Sequence, residues 1–128
     1  MSLRPLILFA GLGLSAAEAQ TLLSGDAFEA YTAGKTFLFG HADQGDYGAE
    51  QYLPDRRILW SNLDGTCDGG TWFDNNGQTC FFYDQSPYLQ CWNFYLEDGE
   101  LTAEFLGVTS GSPFYTVTET DEPLSCTP

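Results

Sequence analysis

Positive charge is what this chain has least of. Four Lys and Arg stand against 18 Asp and Glu in 128 residues, for a net charge of −14. Such a balance repels phosphate backbones and anionic lipid headgroups, so nucleic acid and anionic membrane surfaces are not expected as partners. It leaves a cationic partner, calcium, or solubility alone as the use of the acid. Histidine is equally scarce. His41 is the only one, and although Asp43 and Asp46 lie close in sequence, one imidazole in a polar loop does not make a catalytic array. No catalytic residue is assigned. No two cysteines are spaced as Cys-x-x-Cys, which with a single His argues against zinc. Acid pairs occur at Asp43 and Asp46 and at Asp64 and Asp68. Neither stretch has the alternating acids, central Gly and terminal Glu of an EF-hand, so they are weak calcium candidates, and turn formation explains them equally well. No cofactor is expected.

Long apolar runs are also missing. The one greasy stretch, Leu6 to Leu14, is too short and too glycine-rich to span a bilayer. It follows Arg4 and ends in Ala17-Glu18-Ala19, the layout of a signal peptide over residues 1–19 with cleavage before Gln20. Removing Arg4 and Glu18 together leaves the charge at −14. Residues 20–128 then form a single exported domain, periplasmic or secreted, expected to be a monomer with no membrane span.

What the chain does have is rings and turns. Three Trp, seven Tyr and ten Phe stand against one Met, so aromatics must build the core. From Gly69 to Phe105, turn residues divide the chain into four strand-like runs. Asp98-Gly99 suits a type I′ turn, because both central residues need positive φ. That turn pairs Leu96 with Leu101, Phe94 with Ala103 and Trp92 with Phe105, an apolar face with period two. A tight connection at Asp84–Pro87 sets Cys80 opposite Cys91, at disulfide reach. Cys67–Cys126 is the remaining pair, closing a loop long enough to add about 4 kcal/mol on the chain-entropy model. At Asn75-Asn76-Gly77 two registers compete. The two-residue turn, with Trp72 opposite Phe81, is preferred because it carries Trp72, Phe81 and Trp92 to one face.

Before this meander, residues 22–33 read as a short helix capped by Ser24 and stopped by Gly34. Strands follow at 35–39, 47–53 and 57–61, then a loop over 62–70 holding Cys67. A last strand covers 114–119. The fold class is all-β: an antiparallel up-and-down meander of about eight strands, closed into a small barrel or left as a strongly curved sheet, with one short N-terminal helix. An eight-stranded barrel is wide enough only for side chains or one small ligand.

The order Gly34-Lys35-Thr36, Tyr47 to Tyr52, Gly70-x-Trp72, Cys80-Phe81-Phe82-Tyr83 and Cys91-Trp92 resembles small exported domains of unknown function from alphaproteobacterial-type genomes. The likeness covers most of residues 22–107. It implies a periplasmic or secreted β domain with a bridged hairpin and brings no activity with it. The pair Cys67 and Cys126 lies outside that pattern.

Function is read from the rings. Phe73, Phe82, Tyr88 and Tyr95 fall on the face away from Trp92, or at its end. The helix, through Phe28 and Tyr31, is expected to cover some of them, and those left bare would mark binding. Trp72, Phe82, Tyr88, Trp92 and Tyr95 are the candidate ligand contacts. The expected function is a non-enzymatic binding module for a small apolar or aromatic-stacking ligand or a surface partner. One alternative is an acidic inhibitor of a basic target such as a lysozyme-type enzyme. A carboxylate-dependent hydrolase ranks last.

Overall fold

The computed structural model describes Ser2, residues 20–107 and residues 110–127. The expected leader and its cleavage site at Ala19/Gln20 lie essentially outside the described residues. In chain order the elements are β1 (Thr21–Leu22), α1 (Gly25–Thr32), β2 (Thr36–His41), β3 (Gly45–Leu53), β4 (Arg57–Ser61), β5 (Cys67–Asn75), β6 (Gln78–Tyr83), β7 (Leu89–Glu97), β8 (Glu100–Phe105) and β9 (Phe114–Thr120). Strands β2 to β9 follow one another around the wall, every pairing antiparallel. The β2–β9 pairing closes them into an eight-stranded up-and-down barrel. Closure removes the exposed edges that an open curved sheet would leave. The extra strand β1 adds to β7 through Leu96 and Tyr95.

Local chemistry explains the turns. Asn76 and Gly77 have φ of 51° and 90°, and Asp98 and Gly99 have 53° and 76°. Both are two-residue hairpins with positive φ at each centre, whose twist suits the flanking strands. Trp72 accordingly pairs with Phe81. Leu96, Phe94 and Trp92 pair with Leu101, Ala103 and Phe105. Cys80 faces Cys91, and both disulfides, Cys80–Cys91 and Cys67–Cys126, are formed. Such bonds belong to an oxidising, extracellular or periplasmic compartment. Among the described residues no helix is long and apolar enough to cross a membrane.

Three expectations need correction. The loop after Ser61 ends at Thr66, because Cys67 to Gly69 already pair with β4; two adjacent glycines at 69 and 70 disguise a strand start. The helix is shorter than 22–33, since Thr21 and Leu22 are spent on β1. Ser24 does cap it, accepting from the Ala27 amide at 3.2 Å. Finally, α1 does not cover the outer rings. Phe28 is fully buried against Tyr52, Trp72 and Phe94, with ring centroids 5.4, 5.1 and 4.4 Å away. The helix therefore caps one end of the barrel, with Phe28 projecting inward and Asp26, Ala27 and Ala30 exposed. The cause is topological: the segment enters directly before β2, beside the end where inward rings would otherwise meet water.

The cap is tied in several places. Leu23 donates its amide to the Phe94 carbonyl, and the Tyr31 hydroxyl donates to the Gly99 carbonyl at 2.8 Å. Arg56 forms ion pairs with Asp26 and Glu29 at 3.1 Å each, and its guanidinium lies 4.5 Å from the Trp72 ring centroid. Among the described residues, the opposite end carries a cavity that opens between the barrel's rings.

Candidate functional site: the open end of the barrel

At that open end lie the β2–β3 hairpin and the β4–β5 and β6–β7 loops. A cavity of about 420 Å³ opens there, its wall including Phe39, Tyr47, Trp60, Phe81, Tyr83 and Trp92. Among these rings stands a carboxyl group. Glu50 is only 1% exposed. It projects inward because it pairs with Phe37 on β2 and with Trp60 on β4, and the pleat sends paired side chains to one face. Trp60 in turn pairs with Asp68 on β5. Two acids thus flank one indole across three adjacent strands, all facing the cavity.

Hydrogen bonding at this site is incomplete. Tyr83 donates its hydroxyl to Glu50 Oε1 at 2.8 Å. Among the described residues, Glu50 Oε2, Asp68 Oδ1 and the Tyr52 hydroxyl are buried and have no partner. Leaving such groups unpaired is unfavourable. Burial, above all, pushes the Glu50 carboxyl up to about 8; the Tyr83 hydrogen bond pulls the other way, and the nearby Asp68 charge adds to the rise. Burial likewise raises the phenols of Tyr47, Tyr52 and Tyr83, with Glu50 contributing to each.

Space for the indole is made by a glycine. A Cβ at Gly48 would collide with the Trp60 ring. Trp60 is further held by donating its Nε1–H to Asn62 Oδ1 at 2.9 Å, and it packs in a tilted arrangement against Tyr47, ring centroids 5.5 Å apart. The mouth is braced from outside by the C-terminal tail. Cys126 bonds Cys67, and Thr127 donates its amide and hydroxyl to the Gly65 carbonyl at 2.7 and 2.8 Å. That tail thereby anchors the loop leading into Asp68.

The five rings singled out from sequence do not share one surface. Trp92 lines the cavity, with Phe105 and Tyr115 packed on it. Trp72 is buried at the capped end beneath Arg56. Phe82 and Tyr88 are exposed outside the cavity, Tyr88 at 75%. Tyr95 is on the outer face, donating to Glu104 at 3.1 Å.

The four acids are separated too. Asp64 accepts from the amide and hydroxyl of Thr66 within its own turn, and these bonds hold its carboxyl below the usual range. Asp43 and Asp46 are exposed at the β2–β3 hairpin, while Asp68 faces the cavity. Among the described residues no group of three or more His, Cys, Asp or Glu could hold a metal ion. His41 packs against Tyr115 at 4.2 Å.

Glu50, Trp60, Tyr47 and Tyr83 were missed. A usable signal was present: alternation in β3 sets Glu50 in phase with Tyr52, an acid on the ring-bearing face. It was hidden because Ala49, on the opposite face, is buried as well, beside the tail residues Pro123 to Ser125. No family model, curated protein or solved structure matches this chain.

Proposed function

We propose that this chain is a non-enzymatic binding module, exported after loss of residues 1–19 and acting as a monomer, that holds one small apolar or aromatic-stacking ligand in the open end of its barrel. The observation that carries the reading is the 420 Å³ cavity walled by rings with the incompletely bonded Glu50 among them. Its size falls in the range of small-molecule sites, and six aromatic rings share its wall with convergent polar groups such as Glu50, Asn62, Asp68 and Gln90. Rigidity supports the same use, since a closed wall, a capping helix and two disulfides hold the cavity open before a ligand arrives.

Native mass spectrometry of the exported protein tests this, together with tryptophan fluorescence during titration with a panel of aryl compounds. A co-purified mass, or saturable quenching that falls at least about tenfold in affinity in Trp60→Ala, is the expected result. A cavity that stays empty across the panel removes the reading.

The net charge of −14, with the exposed Phe73, Phe82 and Leu89 on β5, β6 and β7, favours a second reading: capture of a basic protein target, of which a lysozyme-type enzyme is one example. Charge-steered capture weakens steeply with salt, whereas stacking in the cavity does not. A carboxylate-dependent hydrolase would use Glu50 as its acid. Turnover of a sugar or ester substrate, abolished in Glu50→Gln, is what that third reading requires.

A further inference from the structure

We propose that the ligand of this cavity is a small organic cation, an aryl-substituted amine whose ammonium N–H groups are received by Glu50 Oε2 and Asp68 Oδ1. The inference rests on the ligand-binding reading above and adds the chemical class. Both unpartnered oxygens belong to carboxyl groups that line the cavity, and each is an acceptor once its carboxyl is ionised. They stand on the strands either side of Trp60 in register, so an ammonium received by them lies near the rings that line the same cavity. Rings such as Trp60, Tyr47 and Tyr83 present negative π faces, which attract cations most when water is excluded. Among the described residues no Lys, Arg or His lines the cavity; the site therefore has carboxyl oxygens and π density without a positive charge of its own to satisfy them. A neutral apolar ligand would leave both carboxyl oxygens unpaired. A metal ion would want more oxygen ligands than two carboxyls.

The groups facing Glu50 are Phe37 from β2, Trp60 from β4, Asp68 from β5, Tyr83 from β6, and Tyr47 and Tyr52 from its own strand; no cation is among them. Burial, first of all, holds Glu50 protonated at neutral pH. Entry of an ammonium ion reverses that preference. The carboxyl O–H bond breaks, its electron pair stays on the carboxylate, and the proton leaves to solvent, while the ammonium keeps all its protons. Binding thus releases up to one proton below the carboxyl's own pKa and none well above it, and affinity rises with pH until Glu50 is ionised in the free protein.

Titration calorimetry of the oxidised protein tests this, with 2-phenylethylammonium chloride, the neutral isostere 2-phenylethanol, and calcium chloride as probes. It is run at about pH 6.5 in two buffers of different ionisation enthalpy, again at about pH 9, and in about 0.15 M salt. The expected result is binding of the cation at least about tenfold tighter than the alcohol, with proton release at the lower pH only. Glu50→Gln should lose that preference and the proton release; Asp68→Asn should weaken the preference without removing the proton release. Near-UV circular dichroism checks the fold of each variant. Equal binding of cation and alcohol overturns the charge inference and leaves the cavity reading standing. Calcium binding that Glu50→Gln abolishes also overturns it, by assigning the carboxyls to a metal. Failure of both aryl probes to bind overturns the inference and counts against the cavity reading as well.

Discussion

The Tyr83 hydroxyl reaches Glu50 Oε1 at 2.8 Å although the two residues are 33 apart in sequence and stand three strands apart around the barrel wall. The bond crosses the interior. It satisfies one oxygen of a carboxyl that the wall buries, and it leaves the other bare.

From this follows a pH dependence of stability. In the unfolded chain Glu50 ionises near the ordinary glutamate value, whereas in the folded chain it stays protonated until about pH 8. Between those values the native state binds more protons than the unfolded state, so stability falls as pH rises through the window. The full effect is on the order of 3 to 5 kcal/mol, reached above the folded value. Urea denaturation of Glu50→Gln should show a shallower decline between about pH 5 and 9 than the parent, with the two converging at low pH. Parallel slopes would falsify the assignment.

Gly48→Ala addresses the wall. The new Cβ would occupy space held by the Trp60 ring, so either the indole turns or the strand shifts. We expect a loss of about 1 to 3 kcal/mol in stability, as for other overpacked sites, together with a changed tryptophan emission maximum. An unchanged spectrum and midpoint would mean that the indole is not confined there.

The cap can be removed separately. Phe28→Ala deletes a fully buried ring that touches Tyr52, Trp72 and Phe94. A loss of about 3 to 5 kcal/mol is expected on denaturant unfolding. Tyr31→Phe, which deletes only the hydroxyl donated to Gly99, should cost about 1 kcal/mol or less.

The two disulfides should differ in worth and in what they hold. Cys67–Cys126 spans 59 residues and Cys80–Cys91 only 11. On loop entropy their contributions are about 4 and about 3 kcal/mol. The paired Ser variants should rank in that order by midpoint. Only loss of Cys67–Cys126 should also weaken a cavity ligand, because that bond braces the loop entering Asp68. Equal effects of both variants on ligand affinity would show that the tail does not shape the mouth.

The stretch from Gly69 to Phe105 shows why the wall was legible in the chain. Its turns carry their own geometry in Asn-Gly and Asp-Gly, and its strands alternate with period two, so Trp72 opposite Phe81 and Cys80 opposite Cys91 follow from local steric rules. The charge and the even cysteine set are likewise composition, and they point to an oxidising compartment without any fold. Contacts between distant segments carried no such signature. Whether β9 meets β2, which end α1 closes, and that Glu50, Trp60, Asp68 and Tyr83 surround one space depend on how the sheet coils and shuts. Closure is a global balance of twist, shear and buried area, not a property of any short segment. An acid in β3 therefore reads from sequence as one more surface charge among 18 acids, and it becomes a buried, half-bonded carboxyl only when β9 pairs with β2 and the wall seals it from water.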